Sequence, residues 1–351
     1  MLLFRVFSIP VRFFIALLIY FSWGPLAGGV VTAPVPEFSS PALIPYPSKV
    51  VRGAGEAGFR SVHVKVGPDV PGRDDLMKEI KDIFRTSGIQ GSLNSGGAAE
   101  GAMTWELFPD ARMKGEGYDL SVGLGKATVR AGSFGGFFNA LQTLRQLVFN
   151  REGEFAMPVV RISDKPAFVL RGVMLDVGRY YMSPALIKEV MRRLSRYKIN
   201  TLHLHLTDDP AWRMEVKKYP ALTDGAFHWK SRLPGRFYTQ AQLKDLTDYC
   251  ARLNIQVIPE IDMPGHSQPF ARAMKTGMQT EKGVSILKDV VDEAVSLFPG
   301  RFFHMGSDEA HISMKDFIPR MAEHIRRKGK EVVVWSPGCL LYTSPSPRDT
   351  R

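Results

Sequence analysis

Asn200–Asp209, NTLHLHLTDD, decides the fold. Leu202, Leu204 and Leu206 alternate with His203, His205 and Thr207, the two-residue period of a strand with one apolar and one polar face. The polar face runs out into Asp208 and Asp209. The same layout recurs on either side. FVLRGVMLDV (Phe168–Val177) ends in Asp176, with Arg179 three residues on. IQVIPEIDMPGH ends in Glu260, Asp262 and His266, and RFFHMGSDE ends in His304, Asp308 and Glu309. EVVVW (Glu331–Trp335) reads as a fifth strand. Between them lie SPALIKEVMRRLSRYKI, TQAQLKDLTDYCARLN, GVSILKDVVDEAVSLFPG and SMKDFIPRMAEHIRRKG, each with apolar residues at helical spacing. Ser183 is the expected N-cap of the first, with Pro184 at its first helical position, and Thr239 caps the second.

Strand and helix alternating through five strands predict parallel β/α units. An open doubly wound sheet usually gathers its site at one switch point and carries a Gly-rich phosphate turn. No such turn follows the first strand, and four successive strands carry ionisable groups at their carboxyl ends. The expected fold is therefore α/β, a (β/α)8 TIM barrel, incomplete at about five of eight strands, over residues 166–335. Upstream, FRSVHVKVG, DDLMKEIKDIFRTSG, the hairpin GYDLSVGLGKATVRAGS, GGFFNALQTLRQLVF and MPVVRIS give roughly β-α-β-β-α-β. That predicts a small α+β domain over 38–165, bounded by the polar SDKPAF (Ser163–Phe168).

The ends read differently. Arg5 and Arg12 precede the apolar run Phe13–Trp23, and VTA (Val31–Ala33) suits a cleavage site. Residues 1–33 are expected to be an export signal, placing the protein in a periplasmic, secreted or lumenal space; an uncleaved anchor is the alternative. SPGCLLYTSPSPRDTR (336–351) has no helical or strand period and resembles translated adapter sequence. The expectation is that this tail is non-native and that the native chain continued.

In a chain of 351 residues, 44% hydrophobic and 23% charged content exclude a disordered polymer. The net charge of +11 comes from Lys and Arg spread along the chain, which argues against nucleic acid as a partner. Two cysteines, Cys250 and Cys339, support neither a disulfide framework nor a Cys-rich metal site.

Taken singly, the strand-end residues have plain structural readings. Asp176 suits an ion pair with Arg171, His203 a satisfied interior histidine, Asp208 and Asp209 a turn before Pro210, Glu260 beside Pro259 a structural acid, and Asp262 a cap. Together, four strand ends placing costly groups at one rim read as a site. Two chemistries fit. One is metal-dependent hydrolysis, with His203, His205, His266, His304 and Asp308 as ligands, although carboxylates outnumber histidines and Arg179 sits beside them. The other is glycoside hydrolysis by a carboxyl pair, with Gly306 freeing the backbone so that Asp308 and Glu309 diverge. A sugar-binding protein without catalysis is a third possibility, against which both acids are retained.

HMGSDE resembles the H-x-G-G-D-E motif of glycoside hydrolase family 20, the β-N-acetylhexosaminidases. RGVMLDVGRYYM, KINTLHLHLTDDPAWR and PEIDMPGH resemble that family's motifs in its order and spacing, and EGYDLSV and GGFFNALQTLRQL resemble its preceding small domain. The resemblance implies an exo-acting enzyme that removes terminal β-linked GlcNAc or GalNAc from N-acetylhexosamine-containing glycans, without a cofactor or catalytic metal. The substrate's own acetamide oxygen attacks and forms an oxazolinium intermediate. It implies Glu309 as general acid/base and Asp308 as the carboxylate that orients the acetamide, their proximity driving the two pKa values apart. Arg179 would bind sugar hydroxyls, and Trp335 would begin an aromatic wall. Asp208, Asp262 and His266 would hold Glu309, with His304 and His205 in support. Ser307 stands where the family usually has Gly, which is tolerable if the backbone angle there is ordinary. The segment between His266 and Gly283 is short for the family, implying a reduced substrate loop. The family's later site residues do not follow Trp335, so little activity is expected of this chain by itself.

Overall fold

The computed structural model describes residues 42–94, 99–151 and 153–335. The expected export signal, the 336–351 tail and Cys339 lie outside the described residues.

The first half is built from β1 (Lys49–Phe59), β2 (Ser61–Val66), α1 (Arg73–Ser87), β3 (Gln90–Leu93), β4 (Ala102–Pro109), β5 (Tyr118–Gly123), β6 (Lys126–Ala131), α2 (Phe134–Leu147), β7 (Phe149–Arg151) and β8 (Glu154–Asp164). The strands form one sheet in the order β1-β8-β5-β6-β4-β2-β3, with β7 added to β8. This is the expected α+β domain with more strands than the periodicity revealed. β4 alternates well (buried Met103, Trp105 and Leu107), but its short run follows a Gly-rich stretch that hides it. Gly88 closes α1 in the left-handed region at φ 75°, and the Ser133 side chain caps α2 by accepting from the Gly136 amide.

The second half follows as β9 (Gly172–Asp176), α3 (Pro184–Ser195), β10 (Thr201–His205), a short hairpin of β11 (Thr207–Asp208) and β12 (Ala211–Trp212), α4 (Gln240–Arg252), β13 (Gln256–Glu260), α5 (Gln268–Met274), α6 (Glu281–Leu297), β14 (Phe302–His304), α7 (Phe317–Arg327) and β15 (Glu331–Val333). Five parallel strands lie in the order β15-β14-β13-β10-β9. They form an arc of an incomplete (β/α)8 barrel. The leucines of β10 and its exit, Leu202, Leu204 and Leu206, are buried among helix residues such as Ile187, Met191, Leu243 and Leu246. Each such leucine contributes about 2 kcal/mol by leaving water. Ser183 caps α3 with Pro184 in its first turn, and Thr239 with Gln242 makes a reciprocal capping box on α4.

The small domain meets the arc at the end where the strands begin. Glu116 accepts from Asn200 and Asn254, at 3.2 and 2.7 Å, and pairs closely with Arg171. These residues stand one or two positions before β10, β13 and β9. The expected Asp176–Arg171 pair is therefore not made; Arg171 turns to the small domain and Asp176 pairs with Arg179. The opposite, carboxyl end of the strands is left free for chemistry.

Candidate active site

Strand register explains why residues so far apart in sequence meet. His205 stands level with Asp176 on one side and Glu260 on the other, and Glu260 stands level with His304. The next position in that row is Val333 on β15. Partners in a parallel ladder share a face, so one level of the arc carries Asp176, His205, Glu260 and His304 together.

Glu260 is the centre of this row and is fully buried, at 0% exposure. Its Oε2 lies 2.7 Å from both His203 Nε2 and His205 Nδ1. Its Oε1 accepts from the Trp335 indole at 2.7 Å and lies 3.2 Å from His304 Nδ1. Burial opposes the charge on Glu260, but His203, His205 and His304 outweigh it and hold the carboxyl well below its ordinary range. His205 passes the contact on, its Nε2 lying 3.0 Å from Asp208 Oδ2. Burial works against a charge on His205 too, yet the two flanking carboxylates push it up to about 10.

Asp208 is nearly inaccessible and gathers three cations. Besides His205 it meets Arg179 at 2.8 Å and His266 Nδ1 at 3.5 Å. Against the burial penalty, these partners lower its pKa below the usual carboxylate range. Arg179 bridges Asp208 and Asp176, both at 2.8 Å, with its side chain partly open to solvent. His266, pushed up to about 9 chiefly by its bond to Asp208, turns Nε2 toward Glu309 Oε2 at 3.7 Å. A chain of contacts thus runs from Trp335 through Glu260, His205, Asp208 and His266 to Glu309.

Asp262 behaves in the opposite way. It is buried, its Oδ1 has no hydrogen-bond partner, and burial followed by the Glu260 charge pushes its pKa up to about 7. Gly306 packs against it; a Cβ there would lie 1.9 Å from Asp262 Oδ1, and φ is 64°. Only glycine fits this turn.

The pair that follows is asymmetric. Asp308 is half-buried, and Glu309 is 76% exposed, with φ at 51°. The expectation gave Asp308 the ionised role. Here burial, with the charges of Glu309 and Glu260, raises the Asp308 pKa. Ser307 sits at φ 78°, so the backbone angle is left-handed and not ordinary. Its hydroxyl faces the carbonyls of Met263 and Met305 at 2.9 and 3.1 Å.

Every residue singled out from the sequence as catalytic, binding or supporting lies on this one rim. Trp335 joins it by donating its backbone amide to Gly306 at 3.0 Å and by packing 4.6 Å from His304 and 5.3 Å from His203. The sequence undervalued Glu260 and His203. The available signal was a lone acid following the apolar Val257, Ile258 and Pro259 at the carboxyl end of a strand. Several of these groups bring donor atoms within 4.8 Å, as in His203, Glu260 and His304. Those donors already lie against one another or against Trp335 and Arg179. A separate cavity of about 520 Å³, lined by Lys49, Arg112, Tyr118 and Lys165 among others, shares no residue with the rim.

Comparison with known proteins agrees with this architecture. Residues 40–165 match the family described as glycosyl hydrolase family 20, domain 2, and residues 168–285 match glycosyl hydrolase family 20, catalytic domain. Asp308 and Glu309 lie beyond the matched stretch. A beta-hexosaminidase of Porphyromonas gingivalis is 37% identical over 231 residues, covering 56% of this chain and 29% of that protein. A beta-N-acetylhexosaminidase of Cellulomonas fimi is 31% identical over 266 residues, covering 68% of this chain and 54% of that protein. Among solved structures, the Streptomyces plicatus N-acetyl-beta-hexosaminidase in complex with Thio-NAglucal superposes with a TM-score of 0.74 at 30% identity, over 84% of this chain and 65% of that one. The Bacteroides fragilis beta-N-acetylhexosaminidase gives 0.72 at 27% identity, over 83% and 65%. The chain spans between about a third and a half of the length of these two curated relatives. With both its sheet domain and its barrel arc matched, the chain belongs to glycosyl hydrolase family 20.

Proposed function

We propose that the protein is an exo-acting β-N-acetylhexosaminidase that hydrolyses terminal, non-reducing β-linked N-acetylhexosamine with retention, through an oxazolinium intermediate. The observation that carries this reading is the convergence of Glu309, Arg179, Asp208 and His266 on one strand-end rim, with Asp308 next to Glu309 in the chain.

Glu309, open to solvent and facing His266, is the general acid that protonates the leaving oxygen and then the base that activates water. Asp208 holds His266 in place and His266 orients Glu309. Arg179, fixed between two carboxylates, offers its remaining N–H groups to sugar hydroxyls. Asp308 receives the acetamide N–H. The positive charge that develops on the substrate favours the ionised form of Asp308, opposing the burial that raises its pKa in the unliganded protein. Trp335 lines the acetamide side. Glu260 and the buried histidines form a fixed electrostatic background for these groups.

The test is release of aryl alcohol from an aryl N-acetyl-β-glucosaminide. Glu309→Gln is expected to lower kcat by roughly 100- to 10,000-fold, the usual worth of a general acid. An unchanged rate in that variant refutes the assignment. Stoichiometric zinc together with loss of activity on chelation favours metal-dependent hydrolysis instead.

A further inference from the structure

We infer that Glu260 is a positioning residue that locks the two sides of the pocket together: Trp335 and the Gly306 turn on one side, Asp208 and Arg179 on the other. The kinetic part of this inference rests on the proposed hexosaminidase activity; the structural part does not.

An ionised carboxylate offers about four lone-pair sites and no donor. Glu260 accepts from Trp335 Nε1 at 2.7 Å, has His203 Nε2 and His205 Nδ1 2.7 Å from Oε2 and His304 Nδ1 3.2 Å from Oε1 as ion-pair contacts, and is shielded from water. These groups come from β10, from β14 and from Trp335, two residues past β15, so one side chain from β13 touches three other strand ends. Its two oxygens face different halves of the pocket.

On the Oε1 side, the indole bond sets the plane of Trp335, whose backbone amide donates to the Gly306 carbonyl at 3.0 Å. His304 Nδ1 accepts from the Gly306 amide at 3.1 Å and so fastens the same turn from beneath, 3.2 Å from Glu260 Oε1. That turn leads directly into Asp308 and Glu309. On the Oε2 side, His205 carries the contact to Asp208, and Asp208 to Arg179 and His266. A shift of Glu260 therefore displaces the acetamide side and the hydroxyl-binding side in concert.

Glutamine at this position has the same shape but replaces one acceptor with an N–H₂ donor, which must face nitrogen donors. Glu260→Asp keeps the charge and shortens the reach. A residue that merely filled the core would tolerate both about equally.

The experiment uses the full chain with ¹⁵N-labelled tryptophan, five residues in all, with the Trp335 indole signal assigned through Trp335→Phe. In E260Q the Trp335 indole N–H signal is expected to move upfield as its carboxylate acceptor is lost. In parallel, kcat on the aryl substrate is expected to fall by about 100-fold, the scale of a displacement of roughly 1 Å at the reacting groups. E260D is expected to recover part of both. An unmoved indole signal in folded E260Q overturns the inference, as do kcat and KM both within twofold of the unsubstituted protein. Should E260Q not fold, E260D decides by the same two readouts: a displaced indole with reduced kcat supports the inference, and an unchanged pair overturns it. If the unsubstituted chain turns over too little substrate to measure, in keeping with the little activity expected of it by itself, the indole signal alone decides the role of Glu260.

Discussion

At the scale of single residues, Ser307 shows what a motif conceals. The sequence allows serine in place of glycine if φ is ordinary, and φ is 78°. A non-glycine residue held there costs about 1 to 3 kcal/mol. The hydroxyl offsets part of this by bonding buried carbonyls of Met263 and Met305, a contribution of about 1 kcal/mol. Ser307→Ala keeps the strain and loses the bond, so it should destabilise by about 1 kcal/mol. Ser307→Gly loses the bond but also the strain, and should be close to neutral or slightly stabilising. Urea denaturation of both variants checks the order; glycine proving worse than alanine would show that φ there costs nothing. Backbone angle is not written in residue identity, so this strain had no signal in the sequence, whereas the need for glycine at 306 did.

At the scale of elements, the row of level side chains makes stability depend on pH in a calculable direction. Asp262 is raised from an ordinary 3.8 to about 7, so the folded state holds its proton more tightly than the unfolded chain. The unfolded state then binds fewer protons between these values, and the Asp262 contribution falls as pH rises through that window. Asp262→Asn removes the penalty of ionising in a buried site. Its stability relative to the unsubstituted protein should therefore improve as pH goes from about 4 to about 7 and level off above, by about 2 kcal/mol or more. Thermal unfolding of the two proteins at several pH values tests this; a constant difference would contradict it. His266 and His205, raised to about 9 and about 10, act with the same sign in a later window, present below an ordinary 6.5 and lost above. Asp208 and Glu260 act oppositely, losing their contribution only as pH falls through their lowered values. The strands that carry this row are short, but they were readable because they alternate with longer amphipathic helices capped by residues such as Ser183 and Thr239. The identity of its centre was not. Glu260 becomes the hub only once parallel register places it level with His205 and His304, and register is a tertiary property.

At the scale of the whole molecule, the two halves are joined by charges on the face opposite the site. Asp82 of α1 takes Arg192 of α3 at 2.8 Å, Asp164 takes Lys198 at 2.9 Å, and Glu116 takes groups preceding three barrel strands. The sequence offers a polar boundary near Ser163–Phe168, but no local pattern says that Arg171 reaches Glu116 rather than Asp176. The arrangement implies that the small domain sets the spacing of β9, β10 and β13 at their origin, and hence the spacing of Asp176, His205 and Glu260 at their ends. Glu116→Ala leaves Arg171, half-buried, without its carboxylate, and strips Asn200 and Asn254 of an acceptor. Removing one partner of a buried pair costs more than the pair itself contributes, because the remaining charge is stranded. The expected loss is about 2 to 4 kcal/mol. Beyond stability, the variant should bind the aryl substrate or its sugar product less tightly although Glu116 touches none of the site residues. Calorimetric binding of N-acetylglucosamine alongside urea denaturation separates the two effects. Lost stability with unchanged affinity would make the small domain a support only; lost affinity at a temperature where the variant is fully folded would show that it helps to set the geometry of the rim.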